Sequence, residues 1–116
     1  MGVSHRLPTE DDFRAMQTAY EATAPDPTHF FPFLEKLQPV VSDFEGWSDE
    51  AIAAVPGPTL LIQGDQDFVR LEHAALMLDL FPDAQLAVLP GTTHMQVIQR
   101  TEAVLALVEP FLAVTP

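Results

Sequence analysis

The chain has no cysteine, one lysine (Lys36), one tryptophan, one tyrosine and only five glycines in 116 residues. Without cysteine there is no disulfide framework, no thiolate nucleophile and no cysteine-based metal site. Basic residues are scarce as well: five Lys and Arg stand against 17 Asp and Glu, a formal net charge of −12. A surface of that sign repels phosphate backbones and anionic lipid, so neither nucleic acid nor a membrane is an expected partner. No apolar run approaches 18 residues and no signal-peptide pattern opens the chain, so the expected location is cytoplasmic. Serine is rare too, occurring only at Ser4, Ser42 and Ser48. What is plentiful is apolar surface, 47% of residues, and proline, 11 residues. That composition is globular rather than disordered.

The prolines divide the sequence into two halves with different patterning. In the first, Thr9 caps a helix whose first turn is Glu10-Asp11-Asp12, acids placed where the helix dipole favours them. Phe13, Met16, Ala19 and Tyr20 recur at helical spacing until Pro25 stops the run. A second helix is expected to start at Asp26-Pro27 and to carry Phe30, Phe33, Leu34 and Leu37 on one face. Ser48-Asp49-Glu50 opens a short third helix through Val55, which Pro56-Gly57-Pro58 ends.

The second half alternates. Thr59 to Ile62 is an uninterrupted apolar run, as expected of a strand buried on both faces of a parallel sheet. Leu71 to Phe81 reads as helix, Gln85 to Leu89 as a second strand, and Thr101 caps a last helix containing Pro110. The expected fold class is therefore α/β: a helical segment over residues 1–57, then β-α-β-α with two parallel strands over residues 58–116.

In an open α/β sheet, ligands bind at the C-terminal ends of the strands. The two loops there are Gly64-Asp65-Gln66-Asp67-Phe68-Val69 and Pro90-Gly91-Thr92-Thr93-His94-Met95. Parallel neighbouring strands bring these loops side by side, so an Asp of the first meets His94 of the second. A carboxylate bonded to one imidazole nitrogen fixes the tautomer and leaves the other nitrogen as a base. Asp after Gly is also a common turn residue, and a lone loop His is usually only solvated. The order and placement of the two together favour the catalytic reading.

On those residues the sequence resembles the C-terminal portion of the α/β-hydrolase superfamily. PTLLIQGDQD (58–67) looks like that family's late strand and acid turn, and QLAVLPGTTH (85–94) like its final strand and histidine loop. The resemblance implies that Asp67 is the triad carboxylate and His94 the triad base, in an ester-hydrolase type of site. It also implies that the helices from Thr9 to Val55 are a cap, with Phe30, Phe33 and Trp47 as candidates for its apolar wall and Met95 as a further pocket candidate. For at least two of these three aromatics, ordinary core packing is the better reading. No cofactor and no metal are implied.

The family's nucleophile sits in a G-x-S-x-G turn before the cap, and its oxyanion donors earlier still. Gly2-Val3-Ser4-His5-Arg6 has Arg where that motif closes on Gly, and Leu7-Pro8 follows where it needs a helix. Ser42 lies between helices and Ser48 is a cap. The expectation is a truncated hydrolase-like chain, inactive alone. The alternative is a half-enzyme completed by a separate chain that carries the nucleophile. Self-association, or binding of such a complementing half, is expected, with a small apolar ester-type substrate only once the site is complete. Asp65-Gln66-Asp67-Phe68-Val69 also fits D-x-D-x-V and so resembles the nucleophile loop of haloacid-dehalogenase-type phosphotransferases. Those need a downstream lysine, and Lys36 lies upstream. His5, His29 and His73 have no metal-ligand spacing and read as surface residues.

Overall fold

The computed structural model describes residues 6–114. They form two compact units: Thr9–Trp47, and the segment from Ser48 onward together with residues 6–8. The third short helix thus groups with the strands rather than with the helices before it. Among the described residues no helix is long and apolar enough to cross a membrane.

In the first unit, helix α1 (Glu10–Thr23) starts with a capping box. The Asp12 amide donates to Thr9 Oγ1 at 3.2 Å, and the Thr9 amide donates to Asp12 Oδ2 at 2.7 Å. Two of the four amides a helix start leaves without partners are thereby met. Ala24 ends the helix in extended backbone, as a residue before proline prefers. The second helix does not begin at Asp26-Pro27, as the sequence suggested. Those residues open a 3₁₀ turn (Pro27–His29), and helix α2 runs Phe30–Asp43. The reason is local: Asp26 Oδ1 accepts from both the hydroxyl and the amide of Thr28, at 2.6 and 3.0 Å. That side-chain turn favours the tighter i to i+3 bond from the His29 amide to the Asp26 carbonyl. The Thr28 hydroxyl, then its amide, holds the Asp26 carboxyl below its usual range. Pro32 falls in the first turn of α2, where no donor is required, whereas Pro39 lies inside it and removes one donor from the ladder.

Tyr20 of α1 stacks on Phe33 (centroids 5.5 Å apart) and tilts against Phe30 (5.6 Å), and Phe31 meets Phe30 edge-on. Phe30 is the buried member of this cluster. The apolar face of α2 weakens along its length. Phe33 and Leu37 are partly exposed, and Val40 and Val41 face solvent.

The second unit begins with helix α3 (Asp49–Ala53), capped by Ser48, whose hydroxyl accepts from the Ala51 amide. It ends two residues before Val55, where Ala54 takes the C-cap. Strand β1 (Thr59–Gly64) is followed by helix α4 (Leu71–Leu80), strand β2 (Ala84–Leu89), a 3₁₀ turn (Val97–Gln99) and helix α5 (Thr101–Val114). The strands pair in parallel from Thr59 opposite Ala84 to Gly64 opposite Leu89. This is the β-α-β-α order that the patterning implied. Both α4 and α5 pack against β1. The strand is nevertheless half-buried from Thr59 to Gln63, not fully buried as its apolar run suggested. The cause is the narrow sheet: among the described residues it has two strands, so each has one neighbour.

Past the last rung, the Asp65 amide donates to the Leu89 carbonyl at 3.0 Å and the Gln66 amide to the Thr92 carbonyl at 3.0 Å. The two loops are thus zipped together beyond the strands. Their closeness depends on Gly64. A Cβ there would fall on the carbonyl oxygen of Thr92, with the carbonyl carbon only 2.7 Å away. Thr92 is itself wholly buried and cannot retreat. Gly64→Ala should therefore destabilise the chain by about 2–3 kcal/mol, the upper range for overpacking, because backbone rather than a side-chain tip must move. Urea denaturation of the two proteins measures this, and equal midpoints would show that the loops can part at no cost.

Candidate active site

Beyond Gly64 the chain turns sharply, the Asp67 amide donating to the Gly64 carbonyl at 3.3 Å. The turn aims the Asp67 carboxyl back toward β2. Pairing sets a sequence offset of 25 between β1 and β2, since Thr59 faces Ala84. The position level with Asp67 is therefore Thr92, and His94 lies two residues further on. The histidine loop spends those two residues curling back. Its entry uses Gly91, whose φ of 59° lies in the left-handed region that glycine adopts without strain. The Thr92 hydroxyl bonds the Pro90 carbonyl, the Thr93 amide bonds Gln96 Oε1, and the Arg100 guanidinium bonds the Gly91 carbonyl.

The result is contact. His94 Nδ1 lies 3.0 Å from Asp67 Oδ2 and 3.2 Å from Oδ1. Oδ1 also accepts the Val69 amide at 2.8 Å. A carboxylate can only accept, so Nδ1 donates to it, and in the neutral imidazole Nε2 keeps the lone pair. Nε2 has no hydrogen-bond partner among the described residues. The two side chains differ sharply in environment: that of Asp67 is 6% exposed and that of His94 48%. The Phe68 ring lies 4.3 Å from the imidazole, centroid to centroid, tilted by 41° to it. A buried acid thus holds a half-open base by one nitrogen.

Beside the pair lies a groove of about 310 Å³, lined by Ile62, Gln63, Asp67, Val69, His94, Val97 and Ile98. Its walls are mostly aliphatic, with Gln63, Asp67 and His94 as the polar groups. Val97 and Ile98 were not singled out in the sequence. They reach the groove because a 3₁₀ turn follows the histidine loop directly, and an apolar pair three residues past the histidine was the available signal. Met95, the sequence candidate, is not among the lining residues.

The other candidates lie elsewhere. Asp65 turns its carboxyl to the Thr92 amide and the Gln66 side chain, so the second acid of the turn, not the first, meets the histidine. Phe30 and Phe33 belong to the aromatic cluster of the helical unit. Trp47 packs edge-on against Phe44 and is otherwise exposed. Ser42 donates to the Gln38 carbonyl within α2, and Ser48 caps α3. Ser4 and His5 lie outside the described residues. His29 approaches Lys36 Nζ at 3.4 Å, and His73 sits in α4. Among the described residues no three His, Asp or Glu side chains gather closely enough to hold a metal ion. Glu72, at the start of α4, titrates below the usual carboxylate range. Its own backbone amide comes first among the causes and the Arg70 side chain second, but the exposed pair adds little stability.

No family model matches the chain, and no curated protein is similar enough in sequence to count as a relative. Among solved structures, the chain is similar to a proline iminopeptidase of Mycobacterium smegmatis, with a TM-score of 0.56 and 23% identity. The likeness covers 90% of this chain and 42% of that one. That enzyme is an α/β-hydrolase. The fold is accordingly α/β and partially α/β-hydrolase-like, and the chain spans less than half the length of the enzyme it resembles.

If Asp67 sets the tautomer of His94, Asp67→Asn should remove the preference for a proton on Nδ1. The ratio of Nδ1–H to Nε2–H imidazole should fall about tenfold or more, matching the low end for a hydrogen bond to a charged group, ~1.5 kcal/mol. Nitrogen-15 shifts of the His94 ring measure the ratio. An unchanged ratio would mean that the carboxyl and the imidazole are neighbours without being coupled.

Proposed function

We propose that this chain supplies the acid and the base of a Ser-His-Asp hydrolase centre of the ester-hydrolase type. The nucleophile and the oxyanion donors would come from a segment outside these 116 residues. The observation that supports this reading is the Asp67–His94 contact, at 3.0 Å, made by Nδ1, with no hydrogen-bond partner for Nε2 among the described residues. In the proposed reaction Asp67 orients His94. Nε2 takes the proton of a serine hydroxyl as its oxygen attacks the ester carbonyl, and returns it to the departing alkoxide. It then takes a proton from the water that attacks the acyl-enzyme, and passes it to the serine oxygen as the acid leaves. The aliphatic walls Ile62, Val69, Val97 and Ile98 suit a small apolar acyl or alcohol group. In the same reading the helices from Thr9 to Val55 act as a cap-like segment ahead of residues 58–116. Phe30, Phe33 and Trp47 are candidates for its apolar wall.

Each missing part is worth several kcal/mol of transition-state stabilisation. The purified chain should therefore show no turnover of an activated acetyl ester above background. Mixing with a hydrolase N-terminal half that carries G-x-S-x-G should restore turnover, and His94→Ala should abolish it. Turnover by the chain alone that disappears in both Ser4→Ala and His94→Ala would place the nucleophile at Ser4 instead.

A second copy of the chain is the competing occupant of the sheet edge. In the resembled fold the strand equivalent to β1 has a neighbour on each side, whereas among the described residues β1 pairs with β2 alone. Thr59 to Ile62 carries no charge to discourage edge pairing. Ile98, Leu112 and Val114 are 62–80% exposed in the same unit. A two-fold dimer would cover such surface, and the net charge of −12, screened by salt, opposes it only weakly. Light scattering at micromolar concentration should report a mass of twice 12.8 kDa. A stable monomer free of bound apolar material would remove the second copy from consideration.

A further inference from the structure

We propose that Gln63 is a positioning residue for the Asp67–His94 pair, tying strand β1 to Val69 so that the Val69 amide locks the Asp67 carboxyl in place. The proposal rests on the acid–histidine reading above and adds a residue to it. A carboxyl rotates about its last torsion in a broad, shallow well, so one contact to an imidazole does not fix it. Here Oδ1 is held by the Val69 amide at 2.8 Å, which leaves Oδ2 as the closer oxygen to His94 Nδ1, at 3.0 Å against 3.2 Å. Val69 lies in the loop beyond the end of β1, past the last paired residue, Gly64. Its carbonyl accepts from Gln63 Nε2 at 2.7 Å. Gln63 is the last strand residue with a side chain and reaches six positions ahead along the chain. One residue therefore has both backbone groups committed, its carbonyl to the sheet and its amide to the acid.

The relay runs from a rigid strand through Gln63, Val69 and Asp67 to His94. The carbonyl of Val69 requires a donor, and Gln supplies one without adding a charge beside Asp67. An aliphatic residue of the same length would leave that carbonyl unpaired and free the loop to swing. Because Gln63 also lines the groove, a change there is expected to show at the imidazole before it shows in overall stability.

The test is nuclear magnetic resonance on the chain as it stands, comparing the parent with Gln63→Met, which keeps length and loses the donor. In the parent, His94 should hold its proton on Nδ1, and a coupling through the hydrogen bond should connect Gln63 Nε2 to the Val69 carbonyl. In Gln63→Met, the Nδ1–H to Nε2–H ratio at His94 should fall about fivefold, the worth of one ordinary hydrogen bond, and the Val69 amide should exchange faster. An unchanged ratio in a folded Gln63→Met protein would overturn the proposal and leave the acid–histidine reading intact. A parent with no Nδ1–H preference would instead sink that reading. Should Gln63→Met fail to fold, the through-bond coupling in the parent decides: its absence overturns the role assigned to Gln63, and its presence upholds the contact on which that role depends.

Discussion

Parallel pairing of β1 with β2 is the constraint on which everything else depends. Parallel strands both deliver their loops to the same end, which two strands joined by a tight hairpin cannot do. The offset of 25 residues then sets which residues of those loops stand level. Gly64 lets the two loop backbones approach to a distance that any side chain would forbid. Only after that approach does the turn at Asp67 aim its carboxyl at His94 rather than into solvent. Remove the register, and Asp67 becomes an ordinary turn acid and His94 an ordinary surface imidazole.

Burial divides the labour within the pair. A carboxylate taken out of water needs donors, and Asp67 has them in the Val69 amide and the His94 ring. The imidazole stays half open. Phe68 packs beside it at a tilt and has no group that competes for a proton. An oriented base lowers no barrier by itself, because the charge that develops on the substrate oxygen needs preorganised donors of its own. The chain thus holds an oriented acid–histidine pair at the C-terminal ends of its two strands.

Much of this was legible in the residues. Thr9 with Asp12, the apolar run after Pro58 and the break at Pro90-Gly91 marked the elements, because capping, burial and turn chemistry act over a few neighbours. Asp67 was separable from Asp65 through resemblance to an acid turn, and the register supplies the physical reason. The late start of α2 was missed because Asp26 and Thr28 favour a 3₁₀ turn over the helix that Pro27 alone would permit. Gln63 was missed for a different reason. A side chain reaching a carbonyl six residues ahead across a turn leaves no periodicity, and a glutamine in a strand looks like an edge residue. Val97 and Ile98 were hidden in the same way, their place set by a short turn that follows a loop.

The atoms that make the site all belong to one unit. Gln63, Asp67, Phe68, Val69 and His94 lie within the segment from Ser48 onward, as do the bonds that brace their loops. The helical unit Thr9–Trp47 contributes none of them. Its own cohesion rests on a capping box, an Asx turn and one aromatic cluster around Phe30, with large side chains such as Val40 and Val41 left in solvent. Helices of 14 residues are marginal without tertiary cover, so this unit should open at a lower free energy than the sheet. The bonds from the Asp67 carboxyl to the Val69 amide and to the His94 ring lie within the pair's own unit.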